Sequence, residues 1–60
     1  MTSKEKVLKI HPTAYLERGY ANIENRIVIG GKRVTESFSR PRNAWAAAWR
    51  YVVRERKEGK

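Results

Sequence analysis

The chain has 60 residues, of which 14 are Lys or Arg and 6 are Asp or Glu, and its formal net charge is +8. That length suffices for one small domain, which buries only about 60% of the surface that its unfolded form exposes. The composition therefore excludes a large pocket, a bound dinucleotide and a multi-step active site.

The N-terminal end of the chain is polar and has no obvious partner that would order it. We interpret residues 1–6 as a disordered tail and residues 7–60 as one domain. The range 7–11 alternates loosely between apolar and polar side chains, which predicts a short strand. Pro12 would end this strand, because proline cannot donate a hydrogen bond to a β-ladder.

Residues 13–18 fit two alternatives. Pro12 could open one helical turn here, which Gly19 would close. Alternatively, Tyr15 and Leu16 could lie in a strand. We favour the strand, because the hairpin that follows needs a third strand to be stable.

The clearest local signal is a β-hairpin around the pair Gly30–Gly31. Two glycines in a two-residue loop accept the positive φ values of a type I′ turn, which predicts strands over 23–29 and 32–39. The loop length also fixes the register. The opposite pairs would run outwards from the turn as Ile29–Lys32, Val28–Arg33, Ile27–Val34, Arg26–Thr35, Asn25–Glu36, Glu24–Ser37 and Ile23–Phe38.

Because side chains alternate along a strand, this register assigns the two faces of the hairpin. The core face would be apolar with a polar interruption: Ile23, Asn25, Ile27, Ile29, Val34, Glu36 and Phe38. The opposite face would be solvated: Glu24, Arg26, Val28, Arg33, Thr35 and Ser37. Two arginines on neighbouring strands would thus share the solvated face.

The last third of the chain predicts one helix over about 40–58. Ser39 or Arg40 would cap it, with Pro41 in the first turn, and Gly59 would end it. One broad face is apolar: Ala44, Trp45, Ala48, Trp49, Tyr51 and Val52. The opposite face is polar: Asn43, Arg50, Arg54 and Lys57. The predicted class is α+β, a small antiparallel sheet of two or three strands packed against one C-terminal helix.

No residue pattern indicates catalysis. The single histidine, His11, has no cysteine or second histidine with which to share a metal. The pair Gly30–Gly31 precedes a strand, whereas a phosphate-cradling loop precedes a helix. We therefore expect a non-enzymatic protein with no cofactor and no metal. No apolar run is long enough for a signal peptide or a membrane span, so we expect a soluble, cytoplasmic protein.

The positive charge is concentrated in the second half of the chain. Residues 31–60 hold nine basic and three acidic side chains, whereas residues 1–30 hold five and three. An excess of this kind favours a polyanionic partner, either nucleic acid or an acidic protein surface, over a role in solubility alone. The candidate nucleic-acid-binding residues are Arg26, Lys32, Arg33, Arg40, Arg42, Arg50 and Arg54.

Arg40 and Arg42 stand where the helix dipole is already positive, so they do not serve helix stability. A phosphate or carboxylate docked at that end would explain them. Trp45 and Trp49 are four residues apart on the same helical face. We expect both in the core, with Trp49 nearer the edge, where a base or a partner groove could also use it.

Residues 25–53 read as strand, Gly-Gly turn, strand and helix. This order resembles the sheet-plus-helix DNA-binding domains of the AP2 type and of the arm-binding domain of tyrosine recombinases. The resemblance implies that the sheet face remote from the helix enters the DNA major groove. The matching residues would be Arg26, Val28, Arg33 and Thr35.

The same stretch is also similar to the second half of the double-stranded RNA-binding domain, whose last helix has a basic start. Arg40, Arg42 and Ala44 stand at the matching positions, although the paired lysines of that family are missing. In size and composition the chain resembles short basic accessory proteins of temperate bacteriophages. We therefore expect nucleic-acid binding, with DNA favoured over RNA. The alternative is a small adaptor or inhibitor of an acidic protein surface, and the sequence predicts no oligomeric state.

Overall fold

A computed structural model describes residues 1–20 and 24–58 of the protein. The elements in chain order are α1 (Ser3–Ile10), β1 (Tyr15–Arg18), β2 (Asn25–Ile29), β3 (Lys32–Arg33) and α2 (Pro41–Glu58). The strands form one antiparallel sheet in the order β1-β2-β3. The predicted α+β class is therefore confirmed, and the fold contains an N-terminal helix in addition.

Helix α1 replaces the disordered tail and the short strand that the sequence predicted for residues 1–6 and 7–11, and both predictions are wrong. Thr2 begins it with a capping box: the Glu5 N–H donates to Thr2 Oγ1 at 3.2 Å, and the Thr2 N–H donates to Glu5 Oε1 at 2.8 Å. A helix of eight residues is marginal by itself. It is stabilised here by packing, because Val7 is fully buried in the core.

The two helices pack against each other, and the grooves that they line show that they run in the same direction. Their N-terminal turns line one groove, which includes Lys4 and Arg42. Their C-terminal turns line another, which includes Ile10 and Arg56. The parallel arrangement therefore places both helix N-termini at the same end of the molecule.

The strand over Tyr15–Arg18 and the hairpin turn are confirmed. β1 pairs with β2 so that Tyr15 lies opposite Val28. Gly30 and Gly31 have φ values of 60° and 78°, which a residue with a Cβ adopts only at a cost. The first hairpin pairs, Ile29–Lys32 and Val28–Arg33, follow the predicted register.

Beyond Val34 the predicted register is wrong. The Val34 N–H donates to the Ile27 carbonyl at 3.0 Å, but the Ile27 N–H donates to the Thr35 hydroxyl at 3.0 Å. Asn25 then pairs with Phe38, where Glu36 was predicted. The chain bulges between Val34 and Phe38, because the Thr35 side chain takes the place of a backbone acceptor. β3 consequently ends at Arg33.

The core lies between the sheet and the two helices. Its centre on α2 is the predicted one: Trp45 is 6% exposed, and Ala48 and Val52 are buried more fully. Small alanines let the helix approach the sheet, where Ile27 is fully buried. The partly buried side chains that pack around this centre are Leu8, Ile10, Leu16, Ile29, Val34, Phe38, Trp49 and Tyr51.

Asn25 lies on the core side as predicted, whereas the burial of Val28 differs from the prediction. Asn25 is 1% exposed, and its Nδ2 donates to the Phe38 carbonyl at 2.9 Å, so this polar residue anchors the bulge from within. Val28, predicted to be solvated, is 3% exposed. The predicted core position of Ile23 and the predicted helix stop at Gly59 lie outside the described residues.

Helix α2 has the predicted bounds. It begins at Pro41, and the carbonyl of Arg40 accepts hydrogen bonds from the N–H groups of Asn43 and Ala44 at 3.1 and 3.3 Å. Proline suits this position, because its missing N–H would have no helical partner there. Within the described ranges, neither helix has the length and apolar character needed to cross a membrane.

Candidate nucleic-acid interface

The sheet face remote from the helices carries two ion pairs. Arg33 on β3 donates from Nε to Oε1 of Glu17 on β1 at 2.8 Å. Arg26 on β2 donates from Nη2 to Oε1 of Glu24 at 3.0 Å. The two arginines that the sequence placed on this face are therefore there, but each is engaged with a carboxylate.

A glycine makes room for the second pair. A Cβ on Gly19 would lie 2.6 Å from Glu24 Oε1 and 2.8 Å from Glu24 Cβ, closer than real side chains pack. The Gly19 N–H also donates to the Glu24 carbonyl. Glu24 can therefore lie beside Arg26, whose side chain is only 24% exposed.

The sheet face is consequently balanced in charge. Its arginines, Arg26 and Arg33, are matched by Glu17 and Glu24. An anion that approached this face would have to compete with carboxylates already in place. The resemblance to AP2-type domains implies that this face reads DNA. In the structure, however, these four groups together carry no net charge.

The remaining predicted residue of the hairpin, Lys32, lies exposed beside the turn. Arg40 and Arg42 are exposed at the beginning of α2. Arg42 and Lys4 line a groove of about 290 Å³ where the two helices start together. That Lys4 is a neighbour of Arg42 was not predicted, because the sequence pattern had not indicated α1.

The exposed side of α2 carries a row of cations, which we call the α2 stripe: Arg50, Arg54 and Lys57. All three side chains are exposed. No ion pair between described side chains involves the stripe. Arg50 and Arg54 are one helical turn apart, and like charges at that spacing destabilise an isolated helix by about 0.2–0.5 kcal/mol. The pair Arg50–Arg54 thus costs helix stability, whereas Lys57 in the last turn suits the negative end of the helix dipole.

The stripe borders a groove of about 420 Å³ on the surface of α2. Trp49 and Val53, both partly buried, supply its apolar part. The indole of Trp49 packs against the core on one side, as predicted for an edge residue. Lys6 of α1 places Nζ 5.6 Å from the centre of the same indole, within the range of a cation–π contact.

Charge is therefore distributed unevenly between the layers. The two helices contain eight basic and three acidic residues, whereas residues 15–20 and 24–37 contain four and three. The positive surface of the protein is the helical layer. Of the predicted site residues, Arg50 and Arg54 share one groove, while Arg26 and Arg33 lie on the sheet.

Lys6 could have been found from the sequence. Thr2 and Glu5 have the spacing of a capping box, which signals a helix start. A helix from that point would have indicated that the basic residues of the N-terminal segment lie on a folded element. Among residues 1–20 and 24–58, no group of three or more histidine or acidic side chains is placed to hold a metal ion.

No protein-family model matches this chain, and the comparisons with curated proteins and with solved structures give no significant match.

Proposed function

We propose that the protein binds nucleic acid without catalysing a reaction on it, and that the helical layer is the phosphate-contacting surface. The observation that carries the proposal is the α2 stripe. Its cations are exposed, aligned along one helix face and free of ion pairs with described acidic side chains. The repulsion between Arg50 and Arg54 within this array is one that an anionic partner would offset.

The spacing of the stripe suits contact with successive phosphates. Successive charges rise along the helix by about 6 Å from Arg50 to Arg54 and about 4.5 Å from Arg54 to Lys57. A run of phosphates can engage each cation in turn and release the counterions that it held. Arg42 and Lys4 extend the positive surface towards the N-terminal ends of the helices.

DNA is proposed in preference to RNA because residues 25–53 resemble sheet-plus-helix DNA-binding domains. The assignment of the surface differs from that resemblance. Since Arg26 and Arg33 are held by carboxylates, we assign them a secondary part in binding and the α2 stripe the main part.

The test is a titration of labelled duplex and single-stranded DNA at several salt concentrations. The affinity should fall steeply with salt, by about 0.9 logarithmic units per phosphate contacted on duplex. Replacing Arg50 and Arg54 by Gln should flatten this slope by roughly two units. The matched control, Lys9→Gln with Arg18→Gln, removes the same charge from exposed positions outside the stripe and should flatten it less.

Absence of salt-dependent association with any strand at low ionic strength would refute the proposal. A polyglutamate chain that binds as tightly as DNA of equal charge would instead support an adaptor of acidic protein surfaces. An equal loss in the stripe variant and in the control would show that net charge, and not the stripe, drives binding.

A further inference from the structure

The groove on α2 places two chemical demands on a ligand. Its apolar part, Trp49 and Val53, accepts a flat or aliphatic group, while Arg50, Arg54 and Lys57 around it attract negative charge. A nucleotide of an open strand meets both demands, since its base has an apolar face and its phosphate carries the charge. A volume of about 420 Å³ is within the range of sites for small organic groups.

The two tryptophans of α2 differ in a way that matters here. Trp45 is 6% exposed and belongs to the core. Trp49 keeps part of its surface open and lines the groove. Lys6, which lies over its ring, belongs to α1, whereas the groove is lined by residues of α2 alone. The side chain is thus contacted by the core and by α1, and part of it lines the groove.

We infer that this groove binds a base of single-stranded nucleic acid, which stacks on Trp49 while the backbone follows the α2 stripe. The inference rests on the proposed function and narrows it to strands with accessible bases. A base inside a duplex is stacked on both of its faces and cannot reach the indole, so a single strand is preferred.

The first experiment compares two single strands of equal length and charge. One is oligothymidylate, and the other is the same deoxyribose-phosphate chain without bases. At equal salt the strand with bases should bind about fivefold more tightly or better, as expected for one base stacked on an aromatic ring. A duplex of the same length should bind more weakly than oligothymidylate.

The second experiment locates the stacking. Trp49→Leu should remove the preference for the strand with bases and leave binding of the baseless strand unchanged. The matched control is Tyr15→Leu, because Tyr15 is an aromatic residue with an open surface that lies on the sheet and not in the groove. It should keep the preference. If Trp49→Leu fails to fold, Trp49→Phe retains a ring and should keep part of the preference.

Each outcome of these experiments either supports the inference or overturns a named part of it. Equal binding of both strands by the unaltered protein would overturn stacking and leave the proposed function standing, provided both bind with a salt slope. A preference that survives Trp49→Leu would remove Trp49 from the site. Tighter binding of the duplex would overturn the preference for single strands. If neither strand binds, the proposed function itself fails. Displacement of oligothymidylate by polyglutamate of equal charge would assign the groove to an acidic protein.

Discussion

Arg33 and Glu17 form an ion pair that joins the two edge strands of the sheet across β2, with 2.8 Å between Nε and Oε1. Val28 lies directly opposite Tyr15 on one side and Arg33 on the other, while Glu17 is diagonal to it, opposite Arg26. Side chains at directly opposite positions are about 4.5–5.5 Å apart at Cβ. This arrangement explains how Val28 is 3% exposed on a face that no helix covers.

Arg33→Gln should therefore affect the fold only slightly and DNA binding hardly at all. The Arg33 side chain is 62% exposed, and a pair of this kind contributes up to about 1 kcal/mol. Thermal unfolding would measure the first effect and the salt titration the second. A loss of about 1–3 kcal/mol in affinity that depends on the DNA sequence would instead show that the sheet face contacts the bases.

Trp45→Ala should unfold the domain or nearly so. Removing a buried tryptophan costs about 3–5 kcal/mol, and a domain of this length has a total stability of about 3–9 kcal/mol. Circular dichroism during thermal melting measures the change. Tyr20→Ala is the control, because Tyr20 is 81% exposed and its loss should shift stability by at most about 0.5 kcal/mol. A Trp45→Ala variant that melts like the parent would contradict the helix orientation.

Replacing both Gly30 and Gly31 by Val should destabilise the hairpin by about 2–4 kcal/mol, the cost of two left-handed residues with a branched Cβ. Apart from the adjoining residues, no atom lies within 4 Å of a Cβ built at either position, so the loss would be conformational and not a clash. Gly30→Asn is the control, since asparagine tolerates this conformation. Unchanged amide dispersion in the double variant would exclude the type I′ turn.

Thr2→Ala should destabilise α1 by about 0.5–2 kcal/mol, the usual value for a lost N-cap. Because α1 packs on α2, hydrogen exchange should quicken throughout α1 before the sheet responds. Thr2→Ser retains the hydroxyl and should behave like the parent. Equal exchange rates in the Ala and Ser variants would mean that the capping box contributes nothing to the helix.

The same capping box makes α1 sensitive to acid. The pKa of Glu5 is lowered, first by a hydrogen bond from the Thr2 backbone, then by the Thr2 side chain, with a smaller contribution from the N-terminal charge. A group with a lowered folded pKa stabilises the fold above its unfolded pKa and loses this effect as the pH falls through the folded pKa. NMR of α1 should show such an acid transition, and Glu5→Gln should remove it.

The hairpin turn and α2 follow from signals that act over short distances in the chain. Gly30–Gly31 meets the backbone requirement of one turn type, and this requirement does not depend on the rest of the fold. In α2, Trp45, Ala48 and Val52 recur with the helical period over several turns. A period repeated that often indicates the buried face before any partner is known.

Helix α1 and the bulge depend on contacts that lie further apart in the sequence. A helix of eight residues with one fully buried residue, Val7, gains its stability from α2, and its short apolar pattern also fits a strand. The shift of register arises because Thr35 accepts the Ile27 N–H with its side chain. The alternation of side chains along the strand does not indicate that a side chain replaces the backbone acceptor.

The residues of the candidate site likewise differ in whether the sequence alone could predict their positions. Arg50 and Arg54 were predicted because the helical period alone places them outside. The engagement of Arg33 by Glu17 could not be predicted, since it needs the order of three strands and the path of β1. The approach of Lys6 to Trp49 likewise requires the packing of α1.

The bulge after Val34 also affects whether two molecules can associate through the edges of their sheets. The free edge of a sheet is a template on which a strand of a second chain can add, and long flat edges promote aggregation. β3 presents only two residues of regular edge, Lys32 and Arg33, and both are charged. β1 is longer but ends in Glu17 and Arg18. The bulge that shifts the register of the hairpin therefore also shortens the β3 edge, which disfavours the addition of further chains at that edge.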